Sequence, residues 1–204
     1  MEKNRMIKLV SPKGYAQYPW LNTPDTKFDN DGVYCVTLKC DDNKTTQDFI
    51  SKLEEIRDNF YDNDVNVQKA LSTKKKVNKA DVCEYDDEGN VLIKFKQKAK
   101  IKAKDGSIID IKIPLFDSKT KPMNETIGRD SVIKIATQVF PYFMQTTKTV
   151  GLSLKITAVQ VLELKEATSG SGAGYGFGEE EGFEHKENPN NDTPFEEEDD
   201  INDF

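Results

Sequence analysis

The sequence is poor in the groups that carry catalysis. Its one histidine, His185, falls in an acidic C-terminal stretch, so the rest of the chain has no imidazole to act as a base or bind a metal. There is no glycine-rich phosphate loop and no nucleophile elbow. The densest carboxylate group, Asp86 to Glu88, runs into Gly89-Asn90 and reads as a solvated turn, not a metal site. Three cysteines, Cys35, Cys40 and Cys83, form no CxxC pair, and Cys35 and Cys40 are spaced to face opposite sides of a strand. This spacing does not favour a closed zinc site, and free thiols suit a reducing cytoplasm. Met1 to Val10 mixes Lys3, Arg5 and Lys8 with few apolar residues, which is not a signal peptide, and no apolar run has bilayer-spanning length. The expectation is a soluble cytoplasmic protein with no enzyme activity, metal, cofactor or membrane partner.

Charge is present in quantity and unevenly placed. Of 204 residues, 36% are hydrophobic and 32% charged, with a net charge of −7. Residues 167–204 hold 12 Asp/Glu and one Lys, while residues 1–166 hold 24 acids and 28 bases, so a mildly basic body carries a strongly acidic tail. Thr168 to Gly178 (TSGSGAGYGFG) has linker composition. Three parts are expected: a folded body over 1–166, a Gly/Ser-rich linker over 167–178, spanning roughly 20 Å as a flexible coil, and a disordered tail over 179–204. The tail ends FEEEDDINDF, an acidic run closed by an aromatic residue.

The body's most ordered pattern is VLIKFKQKAKIKAK, Val91 to Lys104, with lysine at every even position from Lys94 to Lys104. A strand has a side-chain period of 2, so the pattern predicts six ammonium groups on one pleated face. Lysines also protect exposed strands from aggregation, but six in strict alternation exceed that need. A second basic group, Lys74, Lys75, Lys76 and Lys79, precedes it on a connection.

Alternation predicts further strands over Arg5–Val10, Val33–Cys40 (buried on both faces or nearly so), Ser107–Phe116, Ser131–Phe140 and Val150–Leu164, the last bending near Ala158. Asp81 to Tyr85 is suited to pair back on the lysine strand. Phe49, Ile50, Leu53, Ile56 and Phe60 share one face of a helix over Thr45–Tyr61, capped by Thr45 or Thr46, with Arg57 on the polar side. A short helix is suggested around Val67–Leu71. Ser11 to Asp31 reads as an aromatic, proline-punctuated loop whose rings, Tyr15, Tyr18, Trp20 and Phe28, either plug one end of the core or expose one or two faces for stacking. The fold class expected is mainly β: an OB-fold-like antiparallel barrel of five to seven strands with one inserted α-helix.

Single-stranded nucleic acid is held by a basic groove that tracks phosphates and by rings that stack bases. The lysine ladder from Lys94, Lys96 and Lys98 to Lys104 and the loop with Lys74, Lys75, Lys76 and Lys79 supply the first role. Tyr142, Phe143, Phe140, Trp20 and the pair Tyr15 and Tyr18 are the candidates for the second. The acidic tail mimics the same ligand and is suited to compete with it. The competing class is an acidic-tailed protein-interaction module or chaperone, in which the lysines only store the tail.

RMIKLV followed by GYAQYPW, then DGVYCVTL, IKFKQKA, SVIKIATQVFPYF and VGLSLKITAVQVLEL occur in an order that resembles the single-stranded DNA-binding replication proteins of T-seven-like phages. The resemblance implies an OB fold with an added helix, a homodimer, and coating of single strands without strong sequence preference. It also implies strand annealing and roles in phage DNA replication, recombination and repair in the host cytoplasm. By position it assigns the basic loop to Lys74–Lys76, the FKFK-like stretch to Lys94 and Lys96, and the VPY-like tyrosine to Tyr142. It implies that Glu196, Glu197, Glu198, Asp199, Asp200, Asp203 and Phe204 recruit the replicative DNA polymerase and helicase-primase. The chain departs from the family pattern in a basic loop without arginine and in a shorter tail that keeps Ile201.

Overall fold

A computed structural model of the protein describes residues 7–103 and 105–165. Arg5, Lys104, the linker 167–178 and the tail residues Glu196 to Phe204 lie outside them. In chain order the described elements are β1 (Ile7–Val10), β2 (Gly14–Asp25), β3 (Val33–Cys40), α1 (Lys44–Asn63), α2 (Val65–Ser72), β4 (Asn78–Lys79) and β5 (Glu84–Tyr85). They continue with β6 (Val91–Lys98), β7 (Lys100–Lys102), β8 (Ile108–Asp110), β9 (Leu115–Phe116), β10 (Val132–Met144) and β11 (Thr149–Glu163).

Nine strands form one sheet in the order β4-β11-β10-β2-β3-β6-β5, with β1 added to β10 and β9 to β11. β7 and β8 stand apart as a two-stranded ribbon. The expected barrel of five to seven antiparallel strands is therefore corrected in two ways. The short strands β4 and β9 join β11 in parallel, because each is reached by a crossover and not by a hairpin. The sheet curls until β6 packs against β11, yet among the described residues no hydrogen-bonded ladder joins that pair, so it stays open there.

Alternation explains the core. In β3, Tyr34, Val36, Leu38 and Cys40 point inward, and in β6 Val91, Ile93 and Phe95 meet them. β10 and β11 add Ile133, Ile135, Val139, Ile156 and Val159. β3 is buried on one face only, since Val33, Cys35, Thr37 and Lys39 remain half-exposed. Thr157 is the extra residue of a bulge, because Ala136 pairs with Ala158 and Thr137 with Ile156. This kinks β11 beside the anticipated bend.

The aromatic loop is in fact strand β2. Ala16 and Leu21 enter the core, whereas Tyr15 and Trp20 face outward. Its pairing with β3 shifts between Gln17 and Trp20 and again between Trp20 and Asp25, the intervals that contain Pro19 and Pro24. Proline has no N–H to donate, so the ladder breaks where the prolines fall.

Helix α1 buries Phe49, Ile50 and Leu53 as its pattern predicts. Its cap is Asn43 and not a threonine: the Asn43 side chain accepts from the Thr46 N–H at 3.1 Å. Arg57, assigned by pattern to the polar side, is buried: its Nη1 donates to the Ala80 carbonyl at 2.9 Å and its Nε to Asp58 at 2.9 Å. Asp64 ends α1 and caps α2 by accepting from the Asn66 and Val67 N–H groups. Val67 and Ala70 of α2 then pack with Val77 and Val150, fastening α2 to the start of β11.

Candidate nucleic-acid interface

The register of three strands builds the site. β6 lies against β3 with Lys94 opposite Thr37, Lys96 opposite Cys35 and Lys98 opposite Val33. β3 lies against β2 with Thr37 opposite Gln17, Cys35 opposite Trp20 and Lys39 opposite Tyr15. Directly opposed residues share a face. One outer surface therefore carries the rows Lys96–Cys35–Trp20, Lys94–Thr37–Gln17 and Lys39–Tyr15. Trp20 is 44% exposed and Tyr18 70%. The rings do not plug the core.

Tyr18 sits in the bulge of β2 with φ 52°, a left-handed conformation that costs a side-chain-bearing residue energy. The Arg129 guanidinium lies 5.8 Å from the centre of its ring, and Arg129 Nε donates to Gln17 Oε1 at 3.1 Å. Gln17 Nε2 in turn donates to Asp130. Arg129 escapes sequence reading because 112 positions separate it from Gln17. Phe28, in the connection between β2 and β3, is exposed with the Lys27 ammonium 5.4 Å from its ring.

The lysines of this face are not equivalent. Lys39 is held by Asp86 and Glu88, each at 2.9 Å. Hydrogen bonds to Glu88 and then Asp86 raise the Lys39 pKa, and the bond from Lys39 leads in lowering the Asp86 carboxyl to about 2. Lys94 pairs with Glu84. Lys96 and Lys98 have no ion pair among the described residues. Burial, with Asp25 adding to it and Lys96 opposing, pushes the Cys35 thiol up.

The six-lysine ladder does not persist as one strand. β6 ends at Lys98, Ala99 turns inward and is buried, and Lys100 and Lys102 belong to the ribbon β7–β8. The Ala99 N–H donates to the Gly32 carbonyl and its own carbonyl accepts from Ile111, contacts that redirect the chain.

The remaining predicted residues gather elsewhere, at the β10–β11 hairpin. Lys74, Lys75 and Lys76 are exposed at the end of α2. The Lys74 N–H donates to Leu71 and the Lys75 N–H to Ala70, a Schellman closure that places Lys74 at φ 57° where glycine is usual. The segment then pairs with the start of β11, Asn78 beside Thr149 and Lys79 beside Val150. Lys79 also bonds Asp58 at 3.1 Å and lies 4.7 Å from the Tyr61 ring centre. Burial works to raise the Asp58 pKa, but hydrogen bonds from Arg57 and Lys79 outweigh it and hold that carboxyl low.

Tyr142 is opposite Gly151 and lies across it, since a Cβ there would come 2.6 Å from the Tyr142 hydroxyl. Two positions before it, Phe140 is covered by Lys155 Nζ at 4.3 Å. Phe143 is turned in against the α2 cluster and is not presented. At the open seam, Lys94 of β6 and Leu152 and Leu154 of β11 line one cavity of about 310 Å³.

Rings and uncompensated lysines share one sheet surface, with no metal-ligating cluster among the described residues, a chemistry suited to a flexible polyanion with flat faces. No described helix is long and apolar enough to cross a membrane. Sequence comparison states the family: the model described as single-stranded DNA-binding protein, bacteriophage T7, matches residues 13–164. The chain belongs to that single-stranded DNA-binding protein family, whose members are binding proteins and not enzymes. Its fold is similar to the crystal structure of gp2.5, a single-stranded DNA-binding protein encoded by bacteriophage T7, with TM-score 0.69 and 24% identity over 83% of this chain and 97% of that one. The single-stranded DNA-binding protein of bacteriophage Enc34 gives TM-score 0.49 and 14% identity over 84% and 92%. The same Enc34 protein in complex with single-stranded DNA gives 0.46 and 13% over 82% and 95%. No curated protein matches the sequence.

Proposed function

We propose that the protein coats single-stranded DNA, without strong sequence preference, in phage DNA replication, recombination and repair. The observation that carries this reading is the row Lys96–Cys35–Trp20: an unpaired ammonium group and an exposed indole on one sheet face. In it Lys96 and Lys98 hold phosphates, Lys94 joins them when DNA displaces Glu84, and Trp20, Tyr15 and Tyr18 stack bases. Lys74, Lys75, Lys76 and Tyr142 extend the path at the β10–β11 hairpin.

The reading includes an OB-type arrangement of β2, β3, β6, β10 and β11. In such a barrel nucleic acid lies across the second and third strands, here β3 and β6, between the loops that bear Phe28 and the β10–β11 turn. Residues 1–166 form the binding body, and the acidic residues of 179–204, joined through the linker 167–178, recruit the replicative polymerase and helicase-primase. The protein acts as a homodimer and promotes annealing of complementary strands.

Titration of the full chain with single- and double-stranded oligonucleotides tests the proposal. Four neutralised phosphates give a slope of log K against log salt of about −3, from about −0.7 each. Preference for duplex, or no binding to either, would favour the protein-interaction module.

A further inference from the structure

β7 and β8 form a ribbon with no further strand on either edge among the described residues, and all six of its residues are exposed. Ile101 is paired with Ile109, so one ribbon face presents two isoleucines side by side, 39% and 48% exposed. Lys100 is opposite Asp110 and Lys102 opposite Ile108, so the other face presents two lysines with one aspartate and the more exposed Ile108. A free two-stranded ribbon is marginal in water, and exposed β-branched residues on it invite association. Its base is nevertheless firm. The Ala99 N–H donates to Gly32 at 2.9 Å, the Ile111 N–H donates to Ala99 at 2.7 Å, and Ile113 is buried. The ribbon leaves the body one residue after Lys98, so Lys100 and Lys102 follow closely in the chain on the unpaired lysines of β6.

We infer that this ribbon is a second contact element for single-stranded DNA, with Lys100 and Lys102 on phosphates and the Ile101–Ile109 pair against a base. The inference rests on the proposed DNA-binding function and lengthens its site. Charge and continuity select this occupant. Residues 98–112 hold five lysines and only two acids, Asp105 and Asp110. A nucleotide offers both a phosphate for the lysines and a flat apolar face for the isoleucines, and apolar side chains set against base steps are a known device. A second copy paired along the β7 edge would bring Lys100 and Lys102 of both copies together, which like charges oppose. Pairing along the β8 edge, which carries Ile108 to Asp110 and no lysine, is separated from DNA contact by the sedimenting mass.

The test uses the full chain and fluorescence anisotropy with oligothymidylates of about 5 and about 15 nucleotides, within the range that one such fold covers. Two double variants are compared with the wild type: Lys100→Ser with Lys102→Ser, and Ile101→Ser with Ile109→Ser. Both are expected to weaken the longer oligonucleotide about tenfold while the shorter one is unaffected, as loss of one base contact or two phosphates implies. The lysine variant also flattens the salt slope on the longer oligonucleotide by about 1.4. In the wild type, an iodouracil-substituted longer oligonucleotide should photocrosslink to ribbon peptides. Equal losses on both lengths, no loss on either, or crosslinks confined to the β2–β3–β6 face would each overturn the inference. Isoleucine variants that keep their DNA affinity but lower the sedimenting mass would reassign the ribbon to contact between copies. A wild type that binds neither oligonucleotide overturns the functional reading itself, together with this one.

Discussion

Trp20 and Lys96 lie in one cross-strand row with only Cys35 between them. Two strand spacings separate them, about 10 Å. A base stacked on the indole therefore leaves its backbone within reach of a long lysine side chain, and neither residue needs the other's strand to move. The same row makes Trp20, the only tryptophan in the chain, a reporter of the proposed site.

Oligothymidylate should quench the intrinsic fluorescence of the protein. Trp20→Ala should weaken binding by about 1–3 kcal/mol, the range found for loss of one base–ring stack. Trp20→Phe should keep most of the affinity while losing the signal. Full affinity in a folded Trp20→Ala protein would move stacking to Tyr15, Tyr18 or Tyr142.

Ion pairing ranks the lysines. Lys96→Ala should flatten the salt slope by about 0.7, one phosphate's worth. Lys94→Ala should do less, because Lys94 must first leave Glu84. Glu84→Gln should tighten binding and steepen the slope. If Glu84→Gln leaves DNA affinity unchanged, Lys94 does not touch phosphate.

Lys74 occupies a position where glycine is easier. Lys74→Gly should stabilise the fold by about 1 kcal/mol, read from the denaturation midpoint, by removing a left-handed side-chain-bearing residue. It should also weaken DNA binding, since a backbone outlier kept at a stability cost is a mark of function. Stabilisation with no loss of binding takes the α2 turn out of the interface.

Gly151→Ala tests Tyr142 without removing it. The new methyl would meet the Tyr142 ring at 2.6 to 2.7 Å, so the ring must swing away. Binding should fall as it does in Tyr142→Ala, and the double variant should be no worse than either alone, the signature of one shared interaction. Additive losses would show that Gly151 acts through the strand backbone.

Asp86 predicts an acid dependence. Its pKa is lowered in the folded state from 3.8 to about 2, led by the hydrogen bond from Lys39. A depressed carboxylate stabilises the fold above its unfolded value and loses that contribution as pH falls through the folded one. Stability should therefore drop between pH 3.8 and about 2, and Asp86→Asn should flatten the curve in that window, measured by denaturant midpoints at each pH.

How far the sequence reads depends on which interactions decide each feature. Burial of β3 on one face and not on both is decided by the packing of the sheet, but its bounds, Val33–Cys40, were legible because a β-branched run is a local signal. The buried face of α1 followed from its spacing for the same reason. Arg57 did not, because what buries it is the Ala80 carbonyl, delivered by a segment that returns after α2. By sequence β2 reads as a loop because its prolines and rings look like turn chemistry. Pairing with β3 and β10 on its two sides outweighs that preference.

The lysine alternation shows the same division. That lysines at every second position share a pleated face is a consequence of backbone geometry, and Lys94, Lys96 and Lys98 obey it. Where the strand stops is not local. Hydrogen bonds from Ala99 to Gly32 and Ile111 end β6 and send Lys100 and Lys102 onto a separate ribbon. Local chemistry thus supplied the charges, the rings and the alternation. The folded sheet chose which lysines remain unpaired and which ring stands beside them, because ion pairs and cross-strand rows join residues far apart in the chain.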